Sequence, residues 1–238
     1  GIVLNKMYSE TRNRETIYAS YIFKHHEDYK DKVELLYDRD LPYHIEGGDV
    51  LNINEKTLAI GISQRTEAKA ISLLAKNIFY NSSSKVEKIL AFDLPVKRAF
   101  MHLDTVFTQI DTDKFTIHPG ILGTLRVFEI TKGEGKDGLN ITEKKDTLEN
   151  ILESAIGCPI TLIQCGGGDP IAAQREQWND GSNTLCIAPG KIVVYERNTV
   201  TNAILEEAGI EALKFGGSEL VRGRGGPRCM SMSILRED

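Results

Sequence analysis

A recurring order of strand, strand, helix and strand most constrains what this chain can fold into. In the clearest copy, a turn at Asn54, Glu55 and Lys56 joins the first two strands, and apolar residues then recur with the 3.6-residue period of a helix. The elements of this copy are predicted over residues 45–53, 57–62, 66–79 and 88–94. A unit of this kind cannot bury its apolar faces alone, so the recurrence predicts units that pack against one another.

The same order returns twice further along the chain. The second copy is predicted as strands over residues 101–109 and 114–117, a helix over 146–156 and a strand over 160–164. The third is predicted as strands over residues 184–188 and 191–195, a helix over 200–208 and a strand over 211–215. Residues 1–7 and a helix over 14–25 make an incomplete unit that lacks its leading strand. The sequence therefore predicts an α/β fold built from β-β-α-β units.

Composition and charge narrow the class of protein and its partners. Hydrophobic residues make up 41% of the chain and charged residues 26%, which is typical of a soluble globular protein. Because the net charge is −5 and there is no basic tail, we expect no nucleic acid as a partner. No apolar run approaches the about 20 residues that span a bilayer, so we expect no membrane association. The sequence is compatible with a homo-oligomer.

The cysteines and histidines give no sign of a metal site. No two cysteines form a C-x-x-C pair, and the histidines are not spaced as metal ligands usually are. We therefore predict no metal and no organic cofactor. Unpaired cysteines are typical of a reducing compartment, which predicts a cytoplasmic location. Three of the cysteines lie in strand contexts and are predicted to be core residues: Cys158, Cys165 and Cys186.

Cys229 differs from the other cysteines because it follows a loop rich in glycine and arginine. The loop reads Gly223-Arg224-Gly225-Gly226-Pro227-Arg228-Cys229. Glycines let the backbone approach a ligand closely, while arginines favour a thiolate and can bind a carboxylate with two N–H groups. The pattern indicates a nucleophile beside an anion-binding loop.

Two further segments supply acid–base groups. They are His44-Ile45-Glu46-Gly47-Gly48-Asp49 and Met101-His102-Leu103-Asp104-Thr105. Because His102 and Asp104 are two apart on a predicted strand, both side chains are predicted to point to one face. Alone, such a pair is more often an ordinary surface pair, and Glu46 and Asp49 are more often solvated turn residues. Together with a thiol, these groups suit attack on a cationic carbon.

Taken together, the motifs resemble those of the bacterial arginine deiminase family, which belongs to the guanidine-modifying enzymes. They are Glu46-Gly47-Gly48-Asp49, His102-Leu103-Asp104 and the loop that ends in Cys229-Met230-Ser231-Met232. The resemblance runs from Ile2 to Glu237. It implies one catalytic domain over residues 1–238, in which the units form a propeller-like, pseudo-five-fold ring around a central site.

One departure from the family concerns the N-terminus. In the family, a Phe-x-Arg-Asp-Pro segment with a second guanidinium-binding aspartate precedes the Gly-Ile-Val-Leu strand, whereas this sequence starts at Gly1. We therefore expect this chain to be the C-terminal portion of a longer one. We also expect the ring to be incomplete at its N-terminus.

The resemblance implies hydrolysis of L-arginine to L-citrulline and ammonia through a covalent intermediate on Cys229. It assigns proton transfer to His102, binding of two guanidinium nitrogens to Asp104, and orientation of His102 to Glu46. It assigns contacts with the rest of the substrate to Asp49, Arg12, Arg65, Gly223 and Arg224. Arg14 is close enough in sequence to exchange roles with Arg12.

Two alternatives stay open at this point. An amidinotransferase of the same superfamily uses an amine instead of water, and water access is not visible in a sequence. A catalytically impaired fragment that only binds ligand is the other alternative, because the second aspartate is missing and an unbalanced buried charge is costly.

Residues 133–138 match the G-x-G-x-x-G pattern of dinucleotide-binding loops. Such a site needs a helix that begins at the last glycine, and no helical pattern begins there. The segment is therefore predicted to be a flexible loop.

Overall fold

The computed structural model describes residues 1–223 and 225–234. The chain divides into two compact units, the first formed by residues 1–96 and 125–145 and the second by residues 97–124 and 146–238. Within the described part of the chain, no helix is both long enough and apolar enough to cross a bilayer.

Thirteen strands and six α-helices make up the regular structure of the described residues. The strands are β1 (Ile2–Val3), β2 (Leu35–Tyr37), β3 (Val50–Asn54), β4 (Thr57–Ile62), β5 (Lys88–Asp93), β6 (Phe107–Gln109), β7 (Lys114–Ile117), β8 (Arg126–Lys132), β9 (Leu139–Lys144), β10 (Thr161–Gln164), β11 (Leu185–Ala188), β12 (Lys191–Tyr195) and β13 (Glu211–Phe215). The helices are α1 (Glu10–Asn13), α2 (Thr16–His25), α3 (Ala68–Asn81), α4 (Leu148–Ile156), α5 (Pro170–Trp178) and α6 (Thr199–Glu207).

The first unit is built on a five-stranded sheet in the order β3-β4-β5-β8-β9. Helix α3 links β4 to the parallel β5 and buries one face against the sheet. That face consists of Ala70, Ile71, Leu74, Ala75 and Ile78. Burying a side chain such as Leu74, which is 0% exposed, is worth about 1.5–3 kcal/mol.

The second unit contains two three-stranded sheets, in the orders β6-β7-β10 and β11-β12-β13. In each sheet the first two strands are antiparallel, and the last strand runs parallel to the second. Apolar side chains under α6 form one core cluster: Ile110, Ile163, Ile192, Val194, Leu205 and Ile210.

The predicted recurrence is confirmed in three copies. They are β3-β4-α3-β5, β6-β7-α4-β10 and β11-β12-α6-β13, and each combines an antiparallel hairpin with a parallel closing strand. The strands over residues 57–62, 114–117, 191–195 and 211–215 have the bounds that the sequence predicted. The mixed α/β class is therefore confirmed.

The first strands of the first two copies start later than predicted, because short 3-10 turns replace their N-terminal halves. Gly47–Asp49 forms such a turn before β3, and Leu103–Thr105 forms another before β6. In the second turn, the Thr105 hydroxyl and backbone N–H both donate to the His102 carbonyl, at 2.7 and 3.2 Å. This local bonding competes with a strand. The prediction that His102 and Asp104 share one face of a strand was therefore wrong.

Among the elements that were not predicted from the sequence are β2, β9 and α5. Strand β2 pairs in parallel with β1, β9 pairs with β8 across the G-x-G-x-x-G segment, and α5 follows β10. That segment is a hairpin loop closed by a 2.8 Å bond from Gly133 N–H to the Gly138 carbonyl. A signal for α5 was present, since Asp169 caps the helix and Pro170 takes its first position.

Candidate active site

Glu46 is the centre of a polar group in the first unit. It is 2% exposed and immediately precedes the Gly47–Asp49 turn. Its Oε1 accepts a 2.9 Å bond from the Tyr8 backbone N–H, and its backbone N–H donates to Thr66 Oγ1 at 3.1 Å. The guanidinium groups of Arg65 and Arg12 lie 3.7 and 3.9 Å from its two carboxylate oxygens. Two cations therefore lie close to this buried carboxylate.

Asp49 lies at the end of the same turn and is fully buried. Ser63 Oγ donates a 2.7 Å bond to its Oδ2. The same hydroxyl accepts the backbone N–H groups of Arg65 and Thr66, at 2.9 and 3.2 Å. Ser63 therefore connects Asp49 to the turn that carries Arg65, and no sequence pattern indicated this role.

The two arginines beside Glu46 differ in how firmly they are held. The Arg65 side chain is 21% exposed, and its guanidinium lies 5.3 Å from the centre of the Tyr8 ring. Arg12 is 47% exposed, stands on α1 and donates two N–H groups to Glu15 at 3.2 and 3.1 Å. Arg65 is thus the more preorganised cation for binding an anionic group.

In the second unit, the fully buried Asp104 contacts the predicted nucleophile. Its Oδ2 accepts a 2.6 Å bond from Arg228 Nη1 and lies 3.6 Å from Cys229 Sγ. Its Oδ1 accepts no hydrogen bond from the residues that the structure describes. Buried carboxylate oxygens are normally bonded, so a buried oxygen without a partner indicates a place for a ligand or water.

Cys229 is held through its backbone. Its N–H donates to Asn183 Oδ1 at 3.0 Å, while Asn183 Nδ2 donates to the Asp104 carbonyl at 2.9 Å. Asn183 is fully buried and thereby fixes nucleophile and carboxylate relative to each other. No sequence pattern indicated Asn183, because its partners lie 46 and 79 residues away.

The thiol of Cys229 is held in its neutral form. Although the residue as a whole is exposed, protein atoms crowd the sulfur and displace water, and the Asp104 carboxylate adds negative charge. These two causes raise the pKa of Cys229 to about 12, while Arg228 acts in the opposite direction. A cation bound at Asp104 is expected to favour the thiolate.

Asp180 is a further carboxyl group near this pair that the sequence analysis missed. Burial, with the charge of Asp104 as a smaller cause, raises its pKa to about 6, although the nearby Arg197 acts to lower it. Its backbone has φ of 60°, in the left-handed region that non-glycine residues rarely adopt. Such backbone conformations cluster at functional sites.

The remaining predicted residues lie in the second unit. His102 is half-buried and immediately precedes the Leu103–Thr105 turn. Gly223 is exposed and ends the Leu220–Gly223 turn, whereas Arg224 lies outside the described residues. Of the three cysteines predicted to be core residues, Cys165 is buried, but Cys158 and Cys186 are only partly buried.

The structure thus brings the predicted residues together in two groups. Glu46, Arg12 and Arg65 meet in the first unit, with Asp49 linked through Ser63. Asp104 and Cys229 meet in the second unit. Among the described residues, no group of three or more His, Cys, Asp or Glu side chains is arranged to hold a metal ion.

Comparison with known proteins decides the family. Residues 1–236 match the family model for arginine deiminase. The chain belongs to the arginine deiminase family. It is 64% identical to an arginine deiminase from Treponema denticola and 57% identical to one from Clostridium perfringens, and in both cases all of this chain is matched. The chain spans 58% of the length of each of these relatives.

Solved structures show the same mixed α/β fold at low sequence identity. Unliganded AgrE matches with a TM-score of 0.66 and 19% identity, over 98% of this chain and 28% of that chain. SxtG, an amidinotransferase from Microseira wollei, matches with a TM-score of 0.65 and 13% identity, over 99% of this chain and 66% of that chain. At such identities, the likeness concerns the fold alone.

Proposed function

We propose that this chain carries the catalytic part of an enzyme that hydrolyses L-arginine to L-citrulline and ammonia. Membership of the arginine deiminase family sets the reaction class. The observation that carries the proposal is the 3.6 Å contact between the Cys229 thiol and the buried Asp104 carboxylate. A nucleophile and a cation-binding group then stand next to each other, as attack on a guanidinium carbon requires.

In the proposed first step, the guanidinium binds to Asp104 through two N–H groups. Its positive charge lies beside the sulfur and favours the thiolate, so the thiol releases its proton to solvent water. The sulfur attacks the guanidinium carbon and forms a C–S bond. His102 then donates a proton to the departing nitrogen, the C–N bond breaks, and ammonia leaves a positively charged thiouronium on the sulfur.

In the second step, His102 removes a proton from a water molecule, and the oxygen attacks the thiouronium carbon. The C–S bond breaks, the sulfur leaves as the thiolate, and the added hydroxyl passes its remaining proton to the thiolate, so the carbon becomes the ureido carbon of citrulline and the thiol is restored. One water is consumed and one ammonia is released, so the step needs no oxidant or reductant.

The other predicted residues have supporting roles in this proposal. Glu46 orients His102, and the guanidinium groups of Arg12 and Arg65 lie beside the Glu46 carboxylate. Asp49, Arg12, Arg65, Gly223 and Arg224 contact the amino acid end of the substrate. Arg65 is the best supported of these, since its guanidinium is already placed by the Tyr8 ring and by Glu46.

Several predictions about the whole protein also belong to this proposal. They are a single catalytic domain over residues 1–238, a propeller-like ring of β-β-α-β units around the site, and a cytoplasmic location. A homo-oligomer and the absence of a nucleic acid partner also stay predictions. The family relationship supports the ring and the single domain.

The test uses the whole natural protein that contains these 238 residues. Purified protein is mixed with L-arginine labelled with ¹⁴C in the guanidinium group, and citrulline and ammonia are measured in equal amounts over time. Acid quenching and peptide mapping are then expected to find label on the peptide with Cys229. Turnover that requires an added amine acceptor would contradict hydrolysis, and citrulline formation without any label on Cys229 would contradict the covalent mechanism.

A further inference from the structure

The group that contacts Asp104 in this structure is itself a guanidinium. Arg228 Nη1 donates to Asp104 Oδ2 at 2.6 Å, and this oxygen is also the one that lies 3.6 Å from the Cys229 thiol. An arginine substrate would bring the same chemical group to the same carboxylate. The chain therefore carries, in the residue before its nucleophile, a copy of the ligand group that Asp104 is proposed to bind.

The two guanidinium groups compete for a small number of acceptor positions. A carboxylate has two oxygens, and a guanidinium that binds through two parallel N–H groups needs both of them. With Arg228 on Oδ2, only Oδ1 lacks a hydrogen bond from the described residues. Since Oδ2 also lies 3.6 Å from the Cys229 thiol, its two lone pairs are both engaged, and a second guanidinium can then make one strong bond, to Oδ1, but not two.

We propose that Arg228 is an intramolecular competitor, whose side chain must leave Asp104 before a guanidinium ligand can bind beside the Cys229 thiol. This inference rests on the proposed function, because it concerns the same carboxylate and the same ligand class. It makes Arg228 a residue that sets ligand affinity and excludes weaker cations from the site.

The geometry allows Arg228 to leave without displacing the thiol. The Arg228 side chain is 24% exposed, so its guanidinium has a route to water. Asn183 holds the Cys229 N–H and the Asp104 carbonyl through bonds in which Arg228 takes no part. The nucleophile and the carboxylate therefore keep their positions when the arginine swings away.

The experiment measures how well methylguanidinium protects Cys229 against alkylation by iodoacetamide. Methylguanidinium has the charged group of arginine but no carboxylate or amino group, so it tests Asp104 without the rest of the substrate site. The rate of Cys229 alkylation is followed by peptide mass spectrometry in the wild type, in Arg228→Gln and in the matched control Arg222→Gln. Arg222 is 78% exposed and pairs with Glu219 at 3.1 Å.

We expect Arg228→Gln to be half-protected at about a tenfold lower methylguanidinium concentration than the wild type, because the apparent affinity rises with the fraction of molecules whose site is open. Arg222→Gln is expected to match the wild type. Arg228→Met, which keeps an aliphatic side chain, is a second variant and is expected to behave like Arg228→Gln. In Asp104→Asn, methylguanidinium is expected to give no protection of Cys229, whether Arg228 is present or replaced.

Equal or weaker protection in both Arg228 variants would overturn the inference, since Arg228 would then assist binding or only stabilise the loop. Absence of protection in all proteins would also overturn it. Citrulline formation is measured separately in the same preparations. Tighter methylguanidinium binding without conversion of arginine would refute the proposed function alone, and conversion with unchanged protection would refute this inference alone.

Discussion

The Glu46–Asp49 turn in the first unit and the Asp104–Cys229 pair in the second both bury carboxylates, but the partners of these carboxylates lie at different distances along the chain. In the turn, the Asp49 carboxylate accepts a bond from Ser63 and the Glu46 carboxylate accepts one from the Tyr8 N–H, which are 14 and 38 residues away. In the pair, Asp104 accepts a bond from Arg228, which is 124 residues away, and contacts the sulfur of Cys229, which is 125 residues away. One group is built by neighbouring segments, and the other needs the C-terminal segment to dock.

This difference affects what each group can do. Closing a longer loop costs more conformational entropy, so the Asp104–Cys229 pair is formed at greater cost than the turn. In the pair, one buried oxygen of Asp104 accepts no hydrogen bond from the described residues, and the other accepts a 2.6 Å bond from one of the chain's own arginines, whereas the arginines near Glu46 lie 3.7 and 3.9 Å away. The first group is thus a fixed frame, whereas the second has contacts that a ligand can exchange.

The largest expected effect concerns the nucleophile of the second unit. Cys229→Ser is expected to lower the rate of citrulline formation by about a thousandfold or more, because a hydroxyl gives far less nucleophilic anion near neutral pH than a thiol. Cys158→Ser, at a partly buried cysteine outside the pair, serves as the control. Retained activity in Cys229→Ser would show that the bond to the substrate forms elsewhere.

A substitution in the first unit tests whether the turn is a fixed frame. Ser63→Ala removes the bond to Asp49 and the acceptor for the Arg65 and Thr66 N–H groups, and is expected to lower the free energy of unfolding by about 1–3 kcal/mol. Urea titration measures the change. Ser72→Ala on α3, where the hydroxyl bonds only within its own helix to Ala68, is the matched control and is expected to change stability little. If the two substitutions lower the free energy of unfolding equally, Ser63 does not hold the Glu46–Asp49 turn as a fixed frame.

The charge of Asp180 provides a pH-dependent test in the second unit. Its pKa in the folded state, about 6, lies above that of an unfolded aspartate, so the folded state holds the proton more tightly. The free energy of unfolding therefore falls as the pH rises from about 4 to about 6, because Asp180 loses its proton over that range. It stays lower at higher pH. Asp180→Asn is expected to raise the free energy of unfolding at pH 7.5 by roughly 1–3 kcal/mol and to change it little at pH 4.

Asparagine is suitable for this test because it tolerates the left-handed backbone of Asp180. Asp31→Asn is the matched control, since Asp31 has φ of 59° but is exposed. The comparison is made by urea titration at both pH values. A gain at pH 7.5 that also occurs at pH 4, or in Asp31→Asn, would point to a cause other than the charge of Asp180.

The smallest expected effect concerns thiol reactivity. Asp104→Asn removes a negative charge that raises the pKa of Cys229, so more thiolate is expected at a given pH. Alkylation of Cys229 at pH 8 is expected to become about tenfold faster, as for a shift of one unit in the thiol pKa. Asp111→Asn removes a carboxylate that pairs with Lys114 and is the control. A slower reaction in Asp104→Asn would mean that Asp104 activates the thiol in the absence of ligand.

Local patterns were sufficient for most of the regular structure. The helix period of α3 and the apolar run of β4 are properties of short segments, and those elements formed close to where the sequence predicted them. The prediction failed where a hydroxyl bonded to nearby backbone, as at Thr105. It also failed for the short strand β2, which is stabilised by pairing with β1.

The sequence by itself determined the mixed α/β class, the repeated β-β-α-β unit, and the residue types that the proposed chemistry needs. Only the tertiary structure decided that Asn183 holds Cys229 and Asp104 together, that Arg228 occupies Asp104, and that Ser63 serves Asp49. The physical reason is the range of the interactions. Periodicity and turn preferences act over a few residues, whereas the bonds at Asn183 and Arg228 join segments that come together only when the chain is folded.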